Sequence, residues 1–88
     1  MKNWHVYILR CSDDSLYTGI TNCLEKRIQT HNDKRGARYT RSRLPVTLVY
    51  FEEADSRSSA SQREIAIKEL TRKQKLALIA DQQETCEQ

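Results

Sequence analysis

The chain has 88 residues, of which 38% are hydrophobic and 31% are charged, and its formal net charge is +3 at pH 7. This length predicts one small domain, and the mixed composition excludes an intrinsically disordered chain. Two glycines and one proline exclude collagen-like and low-complexity proteins, and no apolar run reaches the ~18 residues of a membrane span.

The cysteines and the N-terminus bear on where the protein resides. Cys11, Cys23 and Cys86 form no C-x-x-C pair, which excludes a zinc ribbon and a thioredoxin-type motif. The first residues carry one positive charge and enter a strand-like pattern at once, so no signal peptide is predicted. We therefore expect a cytoplasmic protein whose cysteines are free, small hydrophobic side chains.

The N-terminal quarter of the chain predicts a β-hairpin. Residues Trp4–Arg10 are apolar on both alternating faces, as in a strand that is covered on both sides. Asp and Ser residues then favour a turn, and Leu16–Ile20 is a second short strand. If the turn is symmetric, Leu9 stands opposite Tyr17, with Tyr7 one diagonal away on the same face.

A helix is predicted after the hairpin. Asn22 and Glu25 resemble a capping box that begins a helix running to about Asn32. One stripe of this helix holds two apolar residues, an arginine and a histidine at positions i, i+3, i+4 and i+7: Leu24, Arg27, Ile28 and His31. The stripe should face the sheet, so the arginine and the histidine should be partly enclosed.

Positive charge is concentrated in residues 24–43, which hold seven basic and two acidic side chains. Most of these lie in residues 33–44, a segment without periodicity that predicts a mobile loop ending at Pro45. Clustered basic residues bind phosphate backbones, and the planar guanidinium of arginine suits phosphate oxygens. A merely solvated face is the alternative. The predicted nucleic-acid-binding residues are Lys26, Lys34, Arg35, Arg38, Arg41 and Arg43.

Three more elements complete the pattern. They are a strand over Val46–Glu52, a helix that ends near Leu70, and a last helix that begins at a second capping box of Thr71 and Gln74. The order β-β-α-β-α-α describes an α/β (α+β) fold, in which helices pack on a three-stranded, largely antiparallel sheet. The polar end of the chain is expected to fray after Asp81. The predicted domain and its polar tail are residues 1–82 and 83–88.

Each hairpin strand carries a tripeptide with a tyrosine. The runs HVY at residues 5–7 and YTG at residues 17–19 stand where the GIY-YIG nuclease family has Gly-Ile-Tyr and Tyr-Ile-Gly, and the chain resembles this family over about residues 4–80. The first motif has histidine in place of glycine, and the second has threonine in place of isoleucine. Ile20 stands where repair-type members carry a lysine.

Three further positions match the family in order. Arg27 and His31 match its helix arginine and its His/Tyr position, and Glu64 matches its metal-binding glutamate. By resemblance, Glu64 is the metal ligand and Gly19 is a structural residue of the motif. The catalytic residues that the resemblance implies are Tyr7, Tyr17, Arg27, His31 and Glu64.

Most of these residues have a structural alternative. A tyrosine in an apolar strand is usually a core ring with a hydrogen-bonded hydroxyl, and His31 could be a satisfied core histidine. Glu64 and Lys68 are spaced as an ordinary i,i+4 ion pair on a helix surface. Arg27 alone would be an ordinary charge on the helix surface, but an unpaired guanidinium on a sheet-facing stripe is costly, and a phosphate is a natural partner for it.

The resemblance implies a metal-dependent, structure-selective DNA endonuclease that hydrolyses phosphodiester bonds in branched or distorted DNA, in repair or recombination. One carboxylate leaves most ligand positions to water and phosphate oxygen, which suits Mg²⁺, with Mn²⁺ as a substitute. Either tyrosine could remove the proton from the attacking water. The alternatives are a non-catalytic nucleic-acid-binding module of the same fold and a protein-interaction domain that uses the acidic residues 52–55 and the last helix. No membrane partner is expected.

Overall fold

The fold is a three-stranded sheet with helices on both faces. The computed structural model describes residues 3–86, with side chains through Gln82. Both strand pairs are antiparallel and the strand order is β2-β1-β3, which confirms the predicted architecture. The elements are β1 (Trp4–Arg10), β2 (Leu16–Thr21), α1 (Leu24–Asn32), α2 (Arg38–Arg41), β3 (Thr47–Ala54), α3 (Arg57–Lys68) and α4 (Arg72–Cys86).

The central strand β1 is buried on both faces, as its apolar pattern predicts. Val6 and Ile8 point to a core that also holds Ala60 and Ile67 of α3 and Ile79 of α4. The next side chains, Tyr7 and Leu9, point to a second core that α1 covers with Leu24 and Ile28. Each fully buried aliphatic side chain contributes about 1.5–3 kcal/mol to folding. The two faces of one strand therefore divide the molecule into an α3/α4 side and an α1 side.

The register of the hairpin is the predicted one. Leu9 pairs with Tyr17, and Tyr7 pairs with Gly19. The turn between the strands is held by the Ser15 carbonyl, which accepts from the Cys11 amide at 2.9 Å. Because side chains alternate along a strand, this register directs both tyrosines to the α1 side.

Two of the predicted capping features differ in outcome. The box at Asn22 and Glu25 is wrong, because Cys23 is the N-cap of α1 and makes no side-chain capping hydrogen bond. The strand runs one residue further than predicted, and Thr21 Oγ1 instead accepts from the Cys23 amide at 3.1 Å. The box that begins α4 is confirmed, since Thr71 N donates to Gln74 Oε1 at 2.9 Å and Gln74 N donates to Thr71 Oγ1 at 3.2 Å.

Several predicted boundaries shift. The segment 33–44 is not irregular throughout, because the single-turn helix α2 forms within it. Strand β3 and helix α3 both differ by one or two residues at their ends, where hydrogen-bond assignments commonly vary. Helix α4 does not end at Asp81, since its backbone remains helical to Cys86.

The cysteines and helix lengths complete the description. Cys11 is buried and Cys23 is half-buried, and both are free, as expected. The side chain of Cys86 lies outside the described residues. Within residues 3–86, no helix combines the length and hydrophobicity that crossing a lipid bilayer requires.

Candidate active site

Two tyrosine rings lie side by side on the α1 side of the hairpin. The ring centroids of Tyr7 and Tyr17 are 6.4 Å apart, which confirms the predicted shared face. Tyr7 is 1% exposed, whereas Tyr17 is half-buried. A Cβ at Gly19 would lie 2.6 Å from Tyr7 Oη and 2.8 Å from its Cζ. The second motif therefore needs glycine because the Tyr7 ring lies directly over that backbone.

Helix α1 places an arginine and a histidine within hydrogen-bond distance of the Tyr7 hydroxyl. Arg27 Nε donates to Tyr7 Oη at 3.3 Å, and His31 Nε2 lies 3.1 Å from the same oxygen. His31 is fully buried and Arg27 is half-buried, so the predicted enclosure of both is confirmed. The helical spacing of four residues places both on the face of α1 that packs on the sheet.

The other nitrogen of His31 is also occupied. Its Nδ1 lies 2.7 Å from Thr40 Oγ1, and that hydroxyl donates to the Ala37 carbonyl at 2.9 Å. Since the hydroxyl proton is committed to the carbonyl, we assign the imidazole proton to Nδ1. His31 Nε2 is then free to accept from the Tyr7 hydroxyl. The sequence analysis did not identify Thr40, because nothing marks one threonine in a charge-rich segment as buried.

The electrostatics favour neutral side chains at the centre of this network. Burial, with the nearby Arg27 charge, lowers the pKa of His31 from 6.5 to about 4. Burial also raises the pKa of the Tyr7 hydroxyl, and the charges of Tyr17 and Glu64 act in the same direction against Arg27. The hydrogen bond to Tyr7 raises the pKa of Arg27. At neutral pH the row is therefore a guanidinium, a phenol and a neutral imidazole.

Glu64 lies on α3, between the buried Ala60 and Ile67, and is itself half-buried. Its Oε2 is 3.5 Å from Lys68 Nζ, so the predicted i,i+4 ion pair is present. The negative charge of Glu64 is the last of the causes that raise the pKa of the Tyr7 hydroxyl. Glu64 thus forms the structural contact that the sequence offered as an alternative, and its role as a metal ligand stays a prediction.

The donor set around Glu64 bears on the implied metal. Within the part of the chain whose side chains are described, no three His, Cys, Asp or Glu residues converge. A shell built entirely from protein side chains is therefore absent there. A single hard carboxylate that leaves the other positions to water and phosphate oxygen is what Mg²⁺ commonly accepts. The residues present fit this ion.

The predicted nucleic-acid-binding residues are mostly accessible. Arg43 is the exception, because it is half-buried and its Nε donates to Asp13 Oδ2 at 3.0 Å. Its guanidinium also lies 4.1 Å from the Tyr39 ring centroid, and that ring stacks on Tyr17 at 6.0 Å. Arg43 therefore ties the segment around α2 to the hairpin. The exposed members are Lys26, Lys34, Arg35, Arg38 and Arg41.

Comparison with known proteins identifies the family. Residues 3–77 match the family model for the GIY-YIG catalytic domain. The UPF0213 protein CPE1444 of Clostridium perfringens is 60% identical over 76 residues, which cover 86% of this chain and 82% of that protein. The UPF0213 protein SH2523 of Staphylococcus haemolyticus is 51% identical over 81 residues, covering 92% and 99%.

Two solved structures are similar to this chain in both sequence and fold. The solution NMR structure of the UPF0213 protein BH0048 from Bacillus halodurans is 40% identical, with a TM-score of 0.57 over 88% of this chain and 82% of that one. The solution NMR structure of the protein EF2693 from E. faecalis is 35% identical, with a TM-score of 0.59 over 93% and 92%. Sequence and structure together thus assign this chain to the GIY-YIG family, whose catalytic domain is of the nuclease type.

Proposed function

We propose that this protein is a divalent-metal-dependent endonuclease that hydrolyses phosphodiester bonds in branched or otherwise distorted DNA. The observation that carries the proposal is the hydrogen-bonded row of Arg27, Tyr7 and His31. The negative charge of Glu64 adds to the causes that raise the pKa of the Tyr7 hydroxyl in this row. A row of this kind can move a proton and stabilise an anion at the same time.

Tyr7 is the proposed general base. A free phenolate is disfavoured, because burial raises the pKa of this hydroxyl. A relay avoids that species: Tyr7 Oη takes a proton from the attacking water while its own proton passes to His31 Nε2, 3.1 Å away. Tyr17 has no such acceptor beside it among the described hydrogen bonds, and we assign it to the wall of the site.

Arg27 has two proposed roles. Its Nε holds the Tyr7 oxygen in place, and its guanidinium lines an open cleft at the edge of β2. A phosphate bound beside this guanidinium would meet a fixed positive charge, which stabilises the charge that develops on the phosphoryl oxygens. Glu64 would hold Mg²⁺ or Mn²⁺, and the bound ion would supply Lewis-acid stabilisation of the phosphate and the leaving oxygen.

The exposed basic residues around α2 are proposed to bind the DNA backbone. They lie on the segment that Arg43 ties to the hairpin, next to the aromatic pair of Tyr39 and Tyr17. Contacts of lysine and arginine with phosphate supply affinity and orientation but carry no sequence information. Selectivity must therefore come from the shape of the substrate.

The test compares hydrolysis and binding on a panel of branched, flapped and fully paired DNA with Mg²⁺. We expect Glu64→Gln and Tyr7→Phe to lower the cleavage rate by roughly 10²-fold or more while DNA affinity stays within a few-fold. Glu69→Gln and Tyr50→Phe are matched controls, since Glu69 is exposed and Tyr50 belongs to the opposite core.

Two results would contradict the proposal. If the wild-type protein binds the panel but cleaves none of it with Mg²⁺ or Mn²⁺, the non-catalytic nucleic-acid-binding module is the better description. If binding is absent, or is insensitive to salt, a phosphate-binding surface is excluded and a protein-interaction domain is favoured.

A further inference from the structure

The cleft that Arg27 lines lies beside the Tyr7 network, at the edge of the sheet formed by β2. Its volume is about 310 Å³, at the lower end of the ~300–1,000 Å³ that is common for ligand pockets. Arg27 belongs to both the cleft and the Tyr7 network. The residues that line it are Trp4, Ile20, Thr21, Asn22, Arg27 and Arg57.

Helix α3 connects this cleft to the carboxylate. Arg57 is the first residue of α3, and Glu64 follows seven residues later. Seven residues of an α-helix return to within about 20° of the same direction and rise ~10 Å. Arg57 and Glu64 therefore lie along one side of the helix. A strand of nucleic acid that passes Glu64 would reach Arg57 within a short distance.

The cleft combines an aromatic surface with cations. Trp4 is half-buried and packs against the core of the α3/α4 side. The Arg57 guanidinium lies over its ring at 5.9 Å from the centroid, close to the ~6 Å limit of a cation–π contact. Arg57 is exposed, and it forms no ion pair with the acidic residues whose side chains are described. Its charge is therefore available to a ligand.

We propose that this cleft binds one unpaired nucleotide of the DNA strand, adjacent to the phosphate that is cleaved. The base stacks on Trp4, and Arg57 and Arg27 contact its phosphate. This inference rests on the proposed function, because the cleft shares Arg27 with the catalytic row. It adds the substrate feature that is recognised.

The requirement for an unpaired nucleotide follows from the geometry of stacking. In a duplex the faces of each base are covered by its neighbours, so an indole can reach a face only when the nucleotide is unpaired or turned out of the stack. Base–aromatic stacking also tolerates any sequence, because every base has a π-face. The cleft would thus select distorted DNA without reading its sequence.

The chain offers a direct probe, since Trp4 is its single tryptophan. We would titrate the Glu64→Gln protein, which should not cleave, with a short oligothymidylate and with a blunt duplex of equal length. The oligothymidylate should quench Trp4 fluorescence saturably and shield the indole from acrylamide, and the duplex should do neither.

Variants distinguish binding of DNA in the cleft from a general effect of positive charge on DNA binding. Trp4→Leu should weaken binding of the single strand by roughly 5- to 100-fold, the range of one base–aromatic stack, whereas Trp4→Phe retains a stacking ring and should stay within a few-fold. Arg57→Ala should weaken binding more than Lys73→Ala, which removes the same charge from an exposed position on α4. Arg57 is a surface side chain, so its variant tests the cleft even if Trp4→Leu does not fold.

Different results would contradict the nuclease activity and the nucleotide-binding cleft. A wild-type protein that cleaves DNA while Trp4 stays unquenched and unshielded would overturn the cleft and leave the nuclease intact. Quenching without any cleavage would overturn the nuclease and support the cleft as a nucleotide site. Equal shielding by the duplex would overturn the selection of unpaired nucleotides.

Discussion

His31 occupies the centre of the site without contact with solvent. Both of its ring nitrogens have partners, the Tyr7 hydroxyl on one side and the Thr40 hydroxyl on the other. In the resting site this arrangement favours the neutral imidazole, because a proton taken up from solvent at Nε2 would have to displace the Tyr7 hydroxyl hydrogen. Burial and the Arg27 charge act in the same direction and lower the pKa of His31 to about 4. The residue should therefore make stability depend on pH.

The sign of this dependence follows from proton binding. Between pH 6.5 and about 4 the unfolded chain protonates this histidine and the folded chain does not. The full stabilisation is present above pH 6.5, and it is lost as the pH falls toward 4. The loss should be of the order of 3 kcal/mol. Urea unfolding across this pH range measures it, and His31→Gln should remove most of the slope. An unchanged slope in that variant would contradict the assignment.

Gly19 shows how one missing side chain positions a catalytic group. We expect Gly19→Ala to push the Tyr7 hydroxyl away from its place, since a Cβ there would lie 2.6 Å from Tyr7 Oη. Stability should fall by about 1–3 kcal/mol. Cleavage should fall by roughly 10²-fold, because small displacements of reacting groups are costly.

The control for Gly19→Ala is its neighbour. Thr18 is buried and points to the opposite face of the sheet, so Thr18→Ala should reduce stability and leave the cleavage rate of the folded protein nearly unchanged. Denaturant unfolding and single-turnover cleavage measure the two effects. If Gly19→Ala and Thr18→Ala cleave DNA at the same rate, the close contact between residue 19 and Tyr7 is not needed for activity.

At the scale of elements, α2 has a role out of proportion to its length. It has four residues, and Thr40 is the buried one. Through Thr40 it accepts the proton of His31 Nδ1, and through Arg43, which follows it, the segment is tied to Asp13 in the hairpin. A single turn is too short to display helical periodicity, so the sequence pattern indicated an irregular loop.

Removing the Thr40 hydroxyl tests this role. Thr40→Val should lower stability by about 1–3 kcal/mol, since it leaves His31 Nδ1–H without a partner in a buried site. Nitrogen NMR of the imidazole should then detect the tautomer protonated at Nε2, and cleavage should fall about tenfold or more. Thr40→Ser keeps the hydroxyl and should retain the wild-type tautomer. The same tautomer in the valine variant would contradict the assigned hydrogen-bond directions.

On the scale of the whole molecule, the two faces of the sheet differ in the side chains that they carry. The α3/α4 side supplies a largely aliphatic core, while the α1 side holds Tyr7, Tyr17, His31 and the segment with most of the positive charge. Glu64 and Arg57 come from α3, and together with Arg27 they place the proposed DNA path along the β2 edge. A path of this kind should make DNA binding electrostatic.

Salt dependence measures that contribution. We expect Arg38→Gln with Arg41→Gln to weaken DNA binding and to reduce the slope of log affinity against log salt concentration by about 0.7–0.9 for each phosphate that the protein no longer neutralises. The control pair, Arg10→Gln with Lys73→Gln, removes two charges outside the basic segment and should change the slope less. Equal changes in both pairs would show that net charge alone, and not the segment around α2, governs binding.

Local patterns in the sequence determined much of this site. The shared face of Tyr7 and Tyr17 follows from the two-residue period of strands, and the enclosure of Arg27 and His31 follows from helical spacing. The capping box of α4 depends on residues three apart, so it was also predictable. Each of these features is set by neighbours in the chain.

The tertiary structure alone decided the rest. Which residue caps α1, which hydroxyl orients His31, how Arg43 is held and how Arg57 meets Trp4 all depend on how the elements pack. Trp4 and Arg57 lie at the start of β1 and of α3, and no periodicity within either element relates them. Contacts between residues so far apart in the chain follow from packing and burial, which the order of residue types in a segment does not encode.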